Sequence, residues 1–234
     1  MSNRAIILAG GKGTRLLPYT TVLPKPLMPV GEFPILEVIV RQLAKHGFDR
    51  ITMAVNHQAE IVRAFFQDGG KWGVRIDYSL EDKPLSTMGP IRLIRDLPDN
   101  FIVMNGDVLT DLNYRQLFDS HMERGAIFTI SSYLRHQLVD YGVLDVTDGN
   151  LSGIQEKPRI EYEVSMGVYM MSKRAIEFIP NNSPYGFDHL MEDLIRAGQR
   201  INVVKHEGCW LDIGRPDDYV EAIELFEKSD DLFL

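Results

Sequence analysis

Cysteine occurs once in the 234 residues, at Cys209. No internal disulfide can form, and nothing near that thiol has metal-ligand spacing. A lone, half-buried thiol fits a reducing compartment. Also missing is any apolar run near the roughly 18 residues that cross a bilayer. Residues 1–4, Met-Ser-Asn-Arg, lead straight into a short apolar run instead of a signal peptide, so a cytoplasmic protein without a membrane partner is expected. Basic excess is lacking too: 25 Lys and Arg against 33 Asp and Glu give a net charge of -8, which disfavours a nucleic-acid-binding surface. A small anion remains compatible if a few cations are placed locally. Repeats, low-complexity tracts and long linkers are absent. With 44% hydrophobic and 25% charged residues the composition is globular, and one domain over residues 1–234 is expected.

What is present begins with an apolar run, Arg4 to Leu8, that opens into glycines at 10, 11 and 13. Prolines at 18, 24, 26, 29 and 34 then rule out a helix before Pro34, which suits a helical first turn. Ile35, Leu36, Ile39, Val40 and Leu43 recur at helical spacing up to His46, and Gly47 closes that helix. Strands are predicted at 51–55, 74–79 and 101–105, with helices near 59–66 and 90–95 between them. This alternation predicts an α/β fold, a Rossmann-like, mostly parallel sheet flanked by helices on both faces. Further strands at 126–133, 141–146, 151–155 and 164–171 predict a mixed or antiparallel extension. Helices near 173–178, 187–197 and 216–227 complete the chain.

In Leu8-Ala9-Gly10-Gly11-Lys12-Gly13-Thr14-Arg15-Leu16, glycines following a buried strand let backbone N–H groups approach a phosphate. A tight turn alone would explain them equally well. Two common phosphate motifs fail. The dinucleotide fingerprint needs glycine where Leu16 stands, and no Lys-Ser or Lys-Thr pair closes a hydrolase-type loop. Lys25 lies between Pro24 and Pro26, whose restricted backbone holds its ammonium group.

Together, LAGGKGTRLLPYTTVLPKPLMPVGEFPILE resembles the N-terminal signature of sugar-1-phosphate nucleotidyltransferases, and the likeness continues along nearly the whole chain. The resemblance implies that Leu8, Ala9, Gly10, Gly11, Gly13 and Thr14 bind the nucleotide, and that Arg15 and Lys25 hold the triphosphate and stabilise transition-state charge. It divides the domain into a nucleotide part, about residues 1–110, and a sugar-phosphate part, about 111–234.

Asp107 follows the strand Phe101 to Asn105, at the sheet edge where open α/β folds bind ligands. Asp212 precedes a turn and a proline-started helix. Each alone reads as a cap or turn; paired, two carboxylates suit Mg²⁺ together with phosphate oxygens. The resemblance implies metal binding by both Asp107 and Asp212. It also implies a sugar 1-phosphate gripped by Glu156 and Lys157 and laid against Gly142. Ser165 stands where many relatives have a sugar-contacting Asn, a departure that bears on the hexose preference. The run Glu81-Asp82-Lys83-Pro84-Leu85-Ser86-Thr87-Met88-Gly89-Pro90 is similar to the base-proximal segment of mannose-1-phosphate guanylyltransferases, which implies nucleotide contacts from Glu81, Thr87 and Gly89. Cytidylyl- and uridylyltransferases share parts of it, and a strand-to-helix connection capped by Thr87 explains the same residues. The partners expected are a nucleoside triphosphate, GTP first, and a hexose or heptose 1-phosphate. A homo-oligomer stays open, as does a non-catalytic sensor of nucleotide sugars.

Overall fold

The computed structural model describes residues 3–56, 58–228 and 230–234. Met1 and Ser2 of the expected lead-in, and His57, lie outside the described residues.

Strand β1 (Arg4–Leu8) leads through 3-10 turns at Thr14–Leu16, Tyr19–Thr21 and Lys25–Leu27 into a short hairpin, β2 (Pro29–Val30) and β3 (Phe33–Pro34). Then come α1 (Ile35–Lys45), β4 (Arg50–Val55), α2 (Ala59–Phe66), β5 (Arg75–Leu80), β6 (Asn100–Asn105), β7 (Val108–Thr110) and α3 (Tyr114–Arg124). The second half contains β8 (Phe128–Leu138), β9 (Gly142–Thr147), β10 (Asn150–Glu156), β11 (Arg159–Ser172), α4 (Phe187–Arg196), β12 (Ile201–His206), β13 (Trp210–Asp212), α5 (Pro216–Lys228) and α6 (Asp230–Phe233).

Seven strands form the main sheet in the order β12-β8-β11-β6-β1-β4-β5. All its pairings are parallel except those of β11, which runs antiparallel to both β6 and β8. The alternation of side chains across the strands builds two cores. Ala5, Ile7, Ile51, Met53, Ile102, Met104, Val168 and Met170 face one side, covered by α1, α2, α3 and α5. Ile6, Phe101, Val103, Tyr169 and Met171 face the other, covered by α4 and by 3-10 segments at Gly89–Leu93 and Lys173–Phe178. The mostly parallel sheet with helices on both faces is therefore present. The two segments expected as α-helices at 90–95 and 173–178 are 3-10 turns, because each spans too few residues to propagate further.

Beyond the sheet, β8 and β11 continue as a paired ribbon, from Ser132 opposite Ser165 out to Leu138 opposite Arg159. A kink at Val139 N–H to Pro158 O (3.0 Å) and Lys157 N–H to Tyr141 O (3.3 Å) passes the chain into the β9–β10 hairpin. The result is an arm that leaves the globular core. Among the described residues, no helix is long and apolar enough to cross a membrane.

Candidate active site

The parallel strands β1, β4, β5 and β6 end on the same edge of the sheet, and the residues just after each strand open a cavity of about 460 Å³. After β1 the glycine loop forms one wall, from Ala9 to Arg15. Gly13 has φ +62, and a Cβ there would lie 2.8 Å from Thr20 Cγ2 and 3.2 Å from Lys25 Cβ. Only glycine combines that backbone with that closeness. The Thr20 hydroxyl donates to Gly13 O at 2.8 Å and Leu16 N–H to the same carbonyl at 2.9 Å, which locks the loop against the following turn.

Pro24 and Pro26 flank Lys25 in a 3-10 turn closed by Leu27 N–H to Pro24 O at 2.8 Å. That turn presents the buried Lys25 ammonium to Asp107 Oδ2, with which it forms a hydrogen-bonded ion pair. Asp107 stands in the tight connection between β6 and β7, fixed by Gly106 N–H to Leu8 O and by Ile213 N–H to its own carbonyl, both at 3.0 Å. Its other carboxylate oxygen, Oδ1, is buried without a partner among the described residues. Asp212 arrives beside it because β13 pairs antiparallel with β7, setting Asp212 opposite Val108. Burial first, and then the charge of Asp107, push the Asp212 carboxyl above the usual carboxylate range; Lys25 and Arg15 act against that rise. Arg15 closes the group, since a Cβ on Gly214 would lie 3.6 Å from both of its terminal nitrogens. Residues 15, 25, 107 and 212 thus meet in one place, although up to 197 positions separate them in sequence.

At the opposite end of the cavity Glu81 is buried, and burial raises its carboxyl above the usual range. Leu85 N–H donates to its Oε2 at 3.0 Å, while Oε1 lies 2.9 Å from where a Cβ on Gly10 would be. Pro84, Leu85, Ser86 and Thr87 complete that wall. The Thr87 hydroxyl accepts from Phe187 N–H at 2.9 Å, tying the wall to the start of α4. Gly89, expected at the nucleotide, is not among the lining residues. Its N–H donates to Tyr185 O at 3.1 Å, and a Cβ there would meet Leu85 Cβ at 2.8 Å and Ser183 O at 3.0 Å. Close backbone packing behind the wall accounts for this glycine.

None of the expected sugar-side residues lines this cavity. Gly142 and Glu156 pair across the base of the β9–β10 hairpin, and Lys157, with φ +45 at the kink, reaches Asp140 Oδ1 at 2.8 Å. Ser165 marks the point where β11 loses register. Its hydroxyl donates to the buried Tyr169 hydroxyl at 2.9 Å and accepts from Gly167 N–H at 3.3 Å. Lys12, Asn56, Asn105 and Gly106 also line the cavity and escaped the sequence reading. The signal for the two asparagines was there: each is the first strongly polar residue after an apolar run at the carboxyl end of a parallel strand.

Known proteins resemble this chain along nearly its whole length. The sequence model of a family described as Nucleotidyl transferase matches residues 4–229. A UTP–glucose-1-phosphate uridylyltransferase of Synechocystis is 36% identical, covering 94% of this chain and 62% of that one. A mannose-1-phosphate guanyltransferase of Saccharomyces cerevisiae is 31% identical, covering 97% of this chain and 65% of its own length. The chain therefore spans less than two thirds of these curated relatives. HddC from Yersinia pseudotuberculosis superposes with a TM-score of 0.76 at 26% identity, covering 96% of this chain and 99% of that one. The same protein in complex with GMP-PN gives 0.74.

Proposed function

This chain belongs to the nucleotidyl transferase family, and from that premise we propose that it joins the nucleoside monophosphate of GTP to a hexose or heptose 1-phosphate, releasing pyrophosphate. The observation that carries this reading is the meeting of Arg15, Lys25, Asp107 and Asp212 beside a glycine-lined cavity. Backbone N–H groups of residues 10–14 cradle the triphosphate. Arg15 and Lys25 neutralise its charge and hold it in line with the incoming sugar phosphate. A phosphate oxygen of the sugar attacks the α-phosphorus, the bond from that phosphorus to the bridging oxygen breaks, and pyrophosphate carries the electron pair away. Alignment and charge neutralisation dominate such a transfer, so no histidine or serine base is required. Glu156 and Lys157 on the arm, with Gly142 and Ser165, hold the sugar 1-phosphate.

Asp107 and Asp212 fit a Mg²⁺ ion. Two carboxylates, one with an orphaned buried oxygen and one whose proton affinity is raised by burial and then by its neighbour, form a donor set that a hard divalent cation satisfies. When bound, Mg²⁺ supplies Lewis-acid polarisation of phosphate oxygens.

Glu81 favours guanine. A buried carboxylate oxygen left over from the Leu85 contact suits the adjacent N1–H and N2–H donors of that base, whereas uracil flanks its one donor with two repelling carbonyls. HddC, solved with GMP-PN, supports the same choice. Uridylyl transfer is the second reading, favoured by the Synechocystis relative. A panel of GTP, UTP, CTP and dTTP against mannose, glucose and heptose 1-phosphates, read by pyrophosphate release with Mg²⁺, tests the proposal. The largest kcat/KM belongs to GTP; a maximum with UTP moves the assignment to the second reading. Nucleotide binding without pyrophosphate from any pair would make the protein a sensor.

A further inference from the structure

A second cavity, of about 330 Å³, opens at the end of the sheet opposite the glycine loop. Strand β6 links the two: Asn105 at its carboxyl end lines the nucleotide cavity, and Asn100 at its start, about 17 Å away, lines this one. Ser172 ends β11 directly opposite Asn100, so both side chains stand on the face covered by α3. From α3 comes His121, 1% exposed. Asn100 Oδ1 can only accept, so the His121 Nε2–H donates to it at 3.1 Å, and Nδ1 accepts from the Thr129 hydroxyl at 2.7 Å. That contact fixes the Asn100 amide and leaves its Nδ2 donors without a partner among the described residues. The hydroxyl of Ser172, a residue 7% exposed, has no partner among them either, although its backbone N–H donates to Ile127 O at 2.9 Å. Lys173 and Arg174 follow on the wall. The Lys173 N–H donates to Asp99 O at 2.8 Å, which anchors the turn, while the ammonium and guanidinium groups form no ion pair among the described residues. Four donor groups, two of them cationic, thus line one cavity in a chain whose net charge is -8.

We propose that this cavity binds the phosphate group of a small phosphorylated metabolite. Lys173 and Arg174 together offset a phosphate dianion, the guanidinium fork takes two of its oxygens, and Ser172 and Asn100 donate to an oxygen that faces the sheet. Asp99, exposed on the wall, is an acceptor beside them. It opposes a second anionic group and suits a hydroxyl on the organic part of a phosphate ester. Met122 and Ala126 are the only apolar side chains lining the cavity among the described residues, too little to hold a nucleotide base.

Backbone amide shifts of the isotope-labelled full chain at constant ionic strength test this, because they separate this cavity from the glycine loop and do not depend on turnover. Inorganic phosphate and glucose 6-phosphate are the probes. Saturable shifts are expected at Asn100, Gly125, Ser172 and Lys173, with a dissociation constant of about 1 mM or lower. Tighter binding of glucose 6-phosphate at these amides assigns the site to a phosphorylated sugar, and equal or weaker binding assigns it to free phosphate. Lys173→Ala with Arg174→Ala raises the dissociation constant by about tenfold or more and leaves any response of the glycine loop unchanged. Ser172→Ala removes only the hydroxyl, weakens binding severalfold, and decides the matter if the first variant fails to fold. Shifts confined to residues 10–15, shifts that do not saturate, or an affinity that the folded variants leave unchanged overturn the proposal.

Discussion

The Lys25 ammonium group bonds one carboxylate oxygen of Asp107, while the second oxygen of that carboxylate is buried and unpartnered among the described residues. One aspartate therefore faces a fixed cation on one side and presents a buried acceptor oxygen on the other. Lys25→Ala and Asp107→Ala each remove a charge-stabilising group from the transfer, at a typical loss of about 3 kcal/mol, or roughly a hundredfold or more in turnover. Pyrophosphate release measures that loss. Circular dichroism should show an unchanged fold, and wild-type turnover in either variant would contradict the assigned roles.

Asp212 lies next to Asp107 in a half-buried setting that pushes its proton affinity up. Asp212→Asn keeps the shape and removes the charge. The Mg²⁺ concentration for half-maximal rate is expected to rise at least about tenfold, the loss typical for disturbing metal coordination. Chelation of divalent ions should stop the wild-type reaction and added Mg²⁺ restore it.

Glu81 presents a buried acceptor at the end of the cavity away from Asp212. Glu81→Gln replaces half of that acceptor set with a donor. The expected result is a fall in kcat/KM for GTP of about tenfold or more relative to UTP. Competition between the two triphosphates measures the ratio directly.

Gly13 holds φ +62 within van der Waals reach of Lys25. Gly13→Ala forces a β-carbon into Thr20 and strains the backbone, at about 1–3 kcal/mol of stability. Because the same β-carbon presses on Lys25, KM for the triphosphate should rise as well; a thermal melt and a KM measurement read the two effects separately.

His121 is fully buried between Thr129 Oγ1 at 2.7 Å and Asn100 Oδ1 at 3.1 Å, and burial lowers its pKa from 6.5 to about 4. The unfolded chain takes up this proton first, so stability from neutral His121 is complete above pH 6.5 and is lost as pH falls towards 4. The loss is on the order of 3 kcal/mol. Urea unfolding at a series of pH values should show this acid limb, flattened in His121→Gln.

The legible parts of the fold were those whose own residues decide them. Ile35 to Leu43 carries a full apolar stripe, and β1, β4 and β6 each hold a mostly apolar run behind a polar first residue. Helix α3 escaped notice because its buried face is only Tyr114, Leu117 and His121, while Arg115, Gln116, Asp119, Glu123 and Arg124 dominate its composition. Strand β13 is three residues long and exists because β7 pairs with it; no local pattern announces such a strand. Strand β12 includes Asn202 and Lys205, which blunt its apolar signal. In the site, the glycine loop, Lys25 and the two aspartates were readable as groups, but their contact spans 82 residues between Lys25 and Asp107 and is set by sheet order. Gly89 looked like a ligand glycine because close packing and ligand approach leave the same residue in the sequence.

The most direct test of the central claim follows pyrophosphate and nucleotide sugar together, with GTP, a hexose or heptose 1-phosphate and Mg²⁺, in the wild type and in Asp107→Asn with Asp212→Asn. The account predicts equal molar amounts of both products from the wild type and essentially none from the double variant, which keeps its fold. Products undiminished in the double variant, or a wild type that binds nucleotide and releases neither, would contradict it.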